Sequence, residues 1–316
     1  MPDNNSVVTL TLMSSKRFGA IEAGGTKFVC CVGTGPESPL ETVTIPTTTP
    51  EATLGAVTDF FHAQEASHGK ITGLGIASFG PIDCRPDSPT FGFITSTPKS
   101  GWPQTDFVGT LKQAFPVPIG FNTDVNAAAL AESRWGAAKN LGSCLYITVG
   151  TGIGGGFVFQ GKMLTGLMHP EMGHVRVVKH PYDDFKGTCP YHGSACLEGM
   201  ASGPAIRERW GQPADTLKPS HQAWEFQTHY LSQAIVDWLL VLSPECVVLG
   251  GGVMQQKHLF PWIRREVARV LNGYLQVPAI LDRSESLICE PGLGTQSGIL
   301  GALALAIEAD EAVSTM

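Results

Sequence analysis

An α/β fold in two domains around a cleft is what this sequence predicts, on three observations. Strand-like and helix-like segments alternate along the chain, a pattern that favours covered, largely buried sheets. With 316 residues and 43% apolar content, the chain exceeds one average domain and can bury two cores. A unit of strand, glycine-rich turn and strand occurs twice, about one domain-length apart, which suggests that a whole domain is duplicated.

The elements follow in order. Residues 1–16 read as an N-terminal tail. Residues 18–23 and 28–32 are β-rich runs joined by Gly24-Gly25-Thr26-Lys27, a hairpin turn that needs glycine. Thr49 followed by Pro50 reads as an N-cap with proline in the first turn. It opens a helix to about His68, on which Leu54, Val57, Phe60 and Phe61 keep helical spacing. Residues 74–79 read as a buried strand stopped at the turn Gly80-Pro81-Ile82-Asp83. A short strand at 118–121 and an alanine-rich helix from 126 to about 135 come next.

The second unit is a strand at 144–149, a glycine run from Gly150 to Gly156, and a strand at 157–160. Apolar residues at 231, 234, 235, 238 and 242 make 224–242 a core-facing helix that stops at Ser243-Pro244. Residues 246–249 are a further strand, with Gly250-Gly251-Gly252 as its turn. A helix of Ala, Leu and Ile from about 295 to 308 should pack on a sheet.

Charge and composition exclude several classes. A net charge of −7 without a run of five like charges offers nothing for a nucleic-acid backbone to pair with. The apolar runs, such as 234–242, are short and carry a charge, whereas a spanning helix needs roughly twenty apolar residues. The N-terminus lacks the basic region of a secretory signal. Eight irregularly spaced cysteines, two of them adjacent at 30 and 31, do not form a disulfide framework, so a reducing cytoplasm is expected.

Three glycine-rich turns follow strands: Gly24-Gly25-Thr26-Lys27, Gly150-Thr151-Gly152 and Gly250-Gly251-Gly252. Without Cβ atoms, their backbone N–H groups can approach phosphate oxygens, and Thr26, Lys27 and Thr151 add donors. None fits the Walker or dinucleotide patterns. Asp124, in Asn122-Thr123-Asp124-Val125-Asn126, suits either of two roles: N-cap of the following helix, or the base that accepts a proton from an attacking sugar hydroxyl. His174, Cys189, His192 and Cys196 supply the two imidazoles and two thiolates that a tetrahedral structural zinc takes. A metal staple would order a long loop poor in core-forming residues. Glu171 and Glu198 flank that loop, and carboxylates that accept pairs of hydroxyl hydrogen bonds can hold a sugar.

From residue 18 to the C-terminal helix the sequence resembles the ROK family of sugar kinases and sugar-responsive repressors. The matching segments are Glu22-Ala-Gly-Gly-Thr-Lys27, Phe79-Gly-Pro-Ile-Asp83, Asn122-Thr-Asp124-Val-Asn126, Gly150-Thr-Gly-Ile-Gly-Gly-Gly156, Glu171-Met-Gly-His174 and Cys196-Leu-Glu198. Thr97-Pro98-Lys99-Ser-Gly101-Trp102 and the C-x2-H-x3-C loop resemble the bacterial fructokinase branch. Glu22 stands where many members carry Asp, Thr123 replaces a frequent Asn, and His192 replaces a cysteine of the commoner zinc loop.

The resemblance implies the actin-like (ribonuclease H-like) two-domain sugar kinase fold and transfer of the γ-phosphoryl of ATP, with Mg²⁺, to the 6-hydroxyl of D-fructose. It implies Asp124 as general base, Thr97, Asn122, Glu171, His174 and Glu198 as sugar ligands, and His174 also on Zn²⁺. It implies a small domain of residues 17–125, completed by a C-terminal helix at 296–312, a large domain of 126–295, and a homodimer. The alternatives are a mannokinase or glucokinase of the same family, or a non-catalytic sugar-sensing protein. A DNA-binding repressor would need a helix-turn-helix, and the roughly 17 residues before the first strand are too few for one.

Overall fold

The structure is a computed structural model that describes residues 16–37 and 41–315, so the predicted tail lies almost wholly outside the described residues. The first lobe is built on a five-stranded sheet formed by β1 (Phe18–Ala23), β2 (Lys27–Gly33), β3 (Glu41–Pro46), β4 (Gly73–Ser78) and β7 (Ile119–Thr123). Between these strands lie α1 (Pro50–His68), the two-residue strands β5 (Phe93–Ile94) and β6 (Thr105–Asp106), and α2 (Phe107–Ala114); α3 (Asp124–Trp135) follows β7. The spatial order is β3-β2-β1-β4-β7, antiparallel from β3 to β1 and parallel from β1 to β7.

The second lobe repeats that plan. Its sheet contains β8 (Ser143–Val149), β9 (Ile153–Phe159), β10 (Lys162–Met163), β11 (Val247–Gly250) and β12 (Ile288–Cys289), in the order β10-β9-β8-β11-β12 with the same sequence of antiparallel and parallel pairings. Around it pack α4 (Leu197–Ala201), α5 (Gly203–Trp210), α6 (Ala223–Leu242), α7 (Leu259–Leu271), α8 (Pro278–Leu281) and α9 (Ser284–Leu287), and the chain ends in α10 (Ser297–Ser314). The expected duplication is therefore visible as two sheets of identical topology.

Local chemistry explains the elements. Thr49 caps α1 by accepting the Ala52 N–H, with Pro50 behind it, as the sequence predicts. The glycine run after β8 behaves differently from the prediction: only Gly150-Thr151-Gly152 turns, and Gly154, Gly155 and Gly156 lie within β9. Helix α3 crosses this strand so closely that a Cβ on Gly156 would strike the Val125 backbone, and one on Gly155 would meet Ile147 of β8 and Met172. Those glycines serve close packing.

Three cores result. One fills the second lobe around Trp224, Tyr230, Leu231 and Ile263. Another fills the first lobe around Phe28, Phe61, Trp102 and Phe107. The third lies between the sheets, where α10 covers β1, β4 and β7, α3 covers β8 and β9, and the two helices meet where Gly301 packs on the backbone of Ala127 and Ala128 in a largely alanine core. Among the described residues no helix is long and apolar enough to cross a membrane.

Candidate active site

Parallel strands of both lobes direct their carboxyl ends to one place. Register aligns Glu22 of β1 with Ala77 of β4 and Asn122 of β7, and Thr148 of β8 with Gly250 of β11. A cavity of about 430 Å³ opens there, lined by Glu22, Asp124, Tyr146, Thr148, Gly250-Gly251-Gly252 and part of the 290–298 segment. Carboxyl ends of strands at a sheet's crossing point are where α/β proteins hold ligands. A larger hollow of about 610 Å³ near His221 and Arg269 includes none of the residues predicted for chemistry.

Asp124 is the first residue of α3, and Thr123, not Asp124, is its cap: Thr123 Oγ1 accepts the Asn126 N–H at 3.1 Å. This corrects the capping reading. Thr123 is the extended last residue of β7, so its hydroxyl reaches the first turn and the helix begins two residues before Asn126. Asp124 Oδ1 accepts the Val125 N–H at 2.9 Å, and the half-buried side chain faces the cavity. Burial pushes its carboxyl up to about 7; the charges of Glu22 and Glu171 add to the rise, opposed by the Val125 N–H. Burial also raises Glu22, against the pull of Lys27. The Glu22 carboxylate lies over Gly298, where any Cβ would collide with it.

Of the three glycine turns, only Gly250-Gly251-Gly252 lines the cavity. Gly251 has φ +89, and a Cβ there would strike the Val149 backbone, which is why this turn requires glycine. The turn Gly150-Thr151-Gly152 lies against Glu198, whose Oε2 accepts the Ile153 N–H at 2.9 Å. Gly24-Gly25-Thr26-Lys27 closes with the Gly24 N–H on the Lys27 carbonyl at 2.9 Å. It leaves Thr26 and Lys27 exposed and does not line the cavity.

The other predicted sugar ligands divide. Asn122 is buried, and its Oδ1 is occupied by the Thr123 N–H and the Asn126 Nδ2, both at 2.9 Å. Thr97 is buried in the first lobe, accepting the Lys99 N–H at 3.3 Å, and does not line the cavity. Glu171 acts on Asp124 through its charge. His174 places Nε2 3.9 Å from Glu198 Oε1, so Glu171, His174 and Glu198 gather on the second-lobe side.

His174 turns its other nitrogen to the thiols. Nδ1 stands 3.9 Å from Cys189 Sγ and 3.8 Å from Cys196 Sγ, and His192 Nδ1 is 3.5 Å from Cys189 Sγ. All four ligand atoms lie within 4.8 Å of one another. A tetrahedral S₂N₂ centre with metal bonds of about 2.0–2.3 Å requires ligand separations of roughly 3.3–3.8 Å, so the donor set suits a metal and a contraction of about 1 Å at the widest pair would seat it.

The far wall of the cavity carries no sequence motif. Buried Glu132 organises it, accepting the N–H groups of Ala137 (2.7 Å), Gly292 (2.9 Å) and Leu293 (3.1 Å) and the Ser297 hydroxyl (2.7 Å). Lys257 pairs with Glu290 at the rim. These residues come from separate segments without a shared local pattern; the only hint was a glutamate inside an alanine-rich helix.

Known proteins share the sequence and the fold of this chain. The family model described as ROK family covers residues 18–309. A Bacillus subtilis (strain 168) protein is 47% identical over 294 residues, spanning 93% of this chain and 96% of the relative. A fructokinase of Pediococcus pentosaceus is 45% identical over 288 residues, 91% of this chain and 96% of the relative. The crystal structure of a ROK hexokinase from Thermus thermophilus superposes with a TM-score of 0.74 at 26% identity, covering 95% of this chain and all of that one. That likeness bears out the actin-like, two-domain α/β fold expected from the sequence. With the family model spanning both lobes and full-length relatives at 45–47% identity, the chain belongs to the ROK family.

Proposed function

We propose that this chain is a hexose kinase that transfers the γ-phosphoryl of ATP to the 6-hydroxyl of D-fructose. The observation that carries the reading is Asp124: a carboxylate near neutrality, at a helix start, facing the cavity that the glycine turn Gly250-Gly251-Gly252 lines. A group poised there can accept the hydroxyl proton as the oxygen attacks. The fructokinase name of the Pediococcus pentosaceus relative supports the choice of sugar.

In this reading Glu171, His174 and Glu198 hold sugar hydroxyls, with Thr97 and the free amide group of Asn122 contributing from the first lobe. The Gly250-Gly251-Gly252 turn receives the nucleotide phosphates through backbone N–H groups. Glu22 presents a carboxylate to the same cavity, an oxygen donor suited to the hydration shell of Mg²⁺, which would neutralise phosphate charge when bound. His174, Cys189, His192 and Cys196 suit structural Zn²⁺, and through His174 that centre fixes a sugar ligand. The lobes, residues 17–125 with the C-terminal helix and residues 126–295, close to exclude water from the phosphoryl group.

An ADP-release assay across D-fructose, mannose, glucose and N-acetyl sugars tests the assignment. Fructose should give the highest kcat/KM. Preference for glucose or mannose would reassign the sugar, and sugar-independent or absent ADP release would overturn the kinase reading.

A further inference from the structure

His169 is 4% exposed and has no part in the site described above. It reaches from the second-lobe segment before Glu171 to the first lobe, where its Nε2 accepts the Ile82 N–H at 3.1 Å in the turn after β4. A Cβ on Gly80 would stand 3.4 Å from the ring, so that turn packs directly on the imidazole. Because a backbone N–H can only donate, Nε2 carries no proton and the neutral ring holds its hydrogen on Nδ1. Nδ1 faces Glu171 Oε1 at 3.5 Å and the Pro170 carbonyl at 3.4 Å. The Glu171 side chain is 42% exposed and makes no hydrogen bond among the described residues.

We propose that His169 is a positioning residue: it orients Glu171 toward the sugar and ties that carboxylate to the first lobe. The proposal rests on Glu171 being a sugar ligand. One ring nitrogen is anchored by the opposite lobe, so the other presents its N–H from a fixed place, and a carboxylate otherwise free to rotate acquires a preferred orientation. The 3.5 Å separation is of the kind that shortens when a site fills. Sugar affinity and the inter-lobe contact are thereby linked through one side chain.

The test uses the full-length, metal-replete enzyme with D-fructose and ATP. His169→Gln can still accept the Ile82 N–H but loses the donor to Glu171, and His169→Asn does the reverse. Both should raise the fructose KM about tenfold while the ATP KM stays within about twofold. Glu171→Gln should raise the fructose KM similarly, and adding His169→Gln to it should cost little more. If Glu171→Gln raises the fructose KM and both His169 variants leave it within about twofold, the proposal is overturned and the sugar-ligand assignment stands. If Glu171→Gln is also silent, the ligand assignment falls as well. Should the variants fail to fold, nitrogen NMR of histidine-labelled wild-type protein decides. A buried ring protonated at Nδ1, with that resonance moving on fructose addition, is expected; an Nε2–H tautomer or no response to fructose overturns the proposal.

Discussion

Thr123 caps helix α3 through the Asn126 N–H, and this leaves Asp124, its neighbour, facing the cavity. The strand end and the helix start thus divide two tasks between adjacent residues. Asp124→Asn should lower kcat by roughly 10²–10⁴ while fructose still binds, as measured by calorimetry. Near-wild-type turnover would remove Asp124 from the mechanism.

The raised carboxyl of Asp124 sets a pH dependence. Protonation below about 7 removes the base, so kcat/KM should fall on an acid limb near that pH, where an ordinary carboxylate would titrate near 4. Stability runs the other way. Between about 4 and 7 the native state holds a proton that the unfolded chain has released, so Asp124's contribution is full below 4 and is lost as pH rises through 7. Asp124→Asn should therefore raise the melting temperature at pH 8, and a variant less stable than wild type there would contradict the burial argument.

Removing the metal should loosen the loop and the sugar site together. Chelation, or Cys189→Ser, should lower Tm by at least about 4 °C, more than about 1 kcal/mol for a lobe of this size. It should also raise the fructose KM more than the ATP KM, because His174 connects the thiol cluster to Glu198. Metal analysis by plasma emission should find one equivalent per chain; folding and kinetics indifferent to chelation would reject the site.

Glu132→Ala removes the acceptor of three part-buried N–H bonds and of the buried Ser297 hydroxyl. The expected cost is on the order of 3 kcal/mol. Glu132→Gln, which keeps an acceptor, should be milder. In both the ATP KM should rise more than the fructose KM, since the displaced segment walls the Gly250-Gly251-Gly252 side of the cavity.

Gly251→Ala must relieve both a left-handed backbone and a collision with Val149. A rise in ATP KM of roughly tenfold or more is expected, at about 1–2 kcal/mol of strain. Gly55→Ala, on the exposed face of α1 where a Cβ meets nothing within 4 Å, should leave the kinetics unchanged.

Much of the fold was legible because its elements carry local marks. Thr49-Pro50 opens α1 where predicted, and Ser243 closes α6 in a left-handed conformation. Strand β3 is mostly exposed and alternates weakly, so it gave no signal. Helix α7 buries Leu259, Ile263, Val267 and Leu271 at helical spacing and was readable, yet no motif drew attention to it. The grouping of His174, Cys189, His192 and Cys196 was legible because these residue types are concentrated in one stretch of chain. The cavity wall was not: Glu132 and Ser297 stand 165 positions apart, and only folding brings such partners together.

The alanine-rich contact between α3 and α10 has a mechanical consequence. These helices lie on opposite sheets, so any relative motion of the two halves must pass through them. Methyl groups have no rotamers to reset and form only shallow ridges, but the Arg134–Glu308 ion pair and the Ser297 hydroxyl on Glu132 tie the two helices at either end of that contact. A slip along the seam must therefore stretch those two ties, and because Glu132 also holds the Gly292 and Leu293 N–H groups, it would be felt at once in the wall of the cavity.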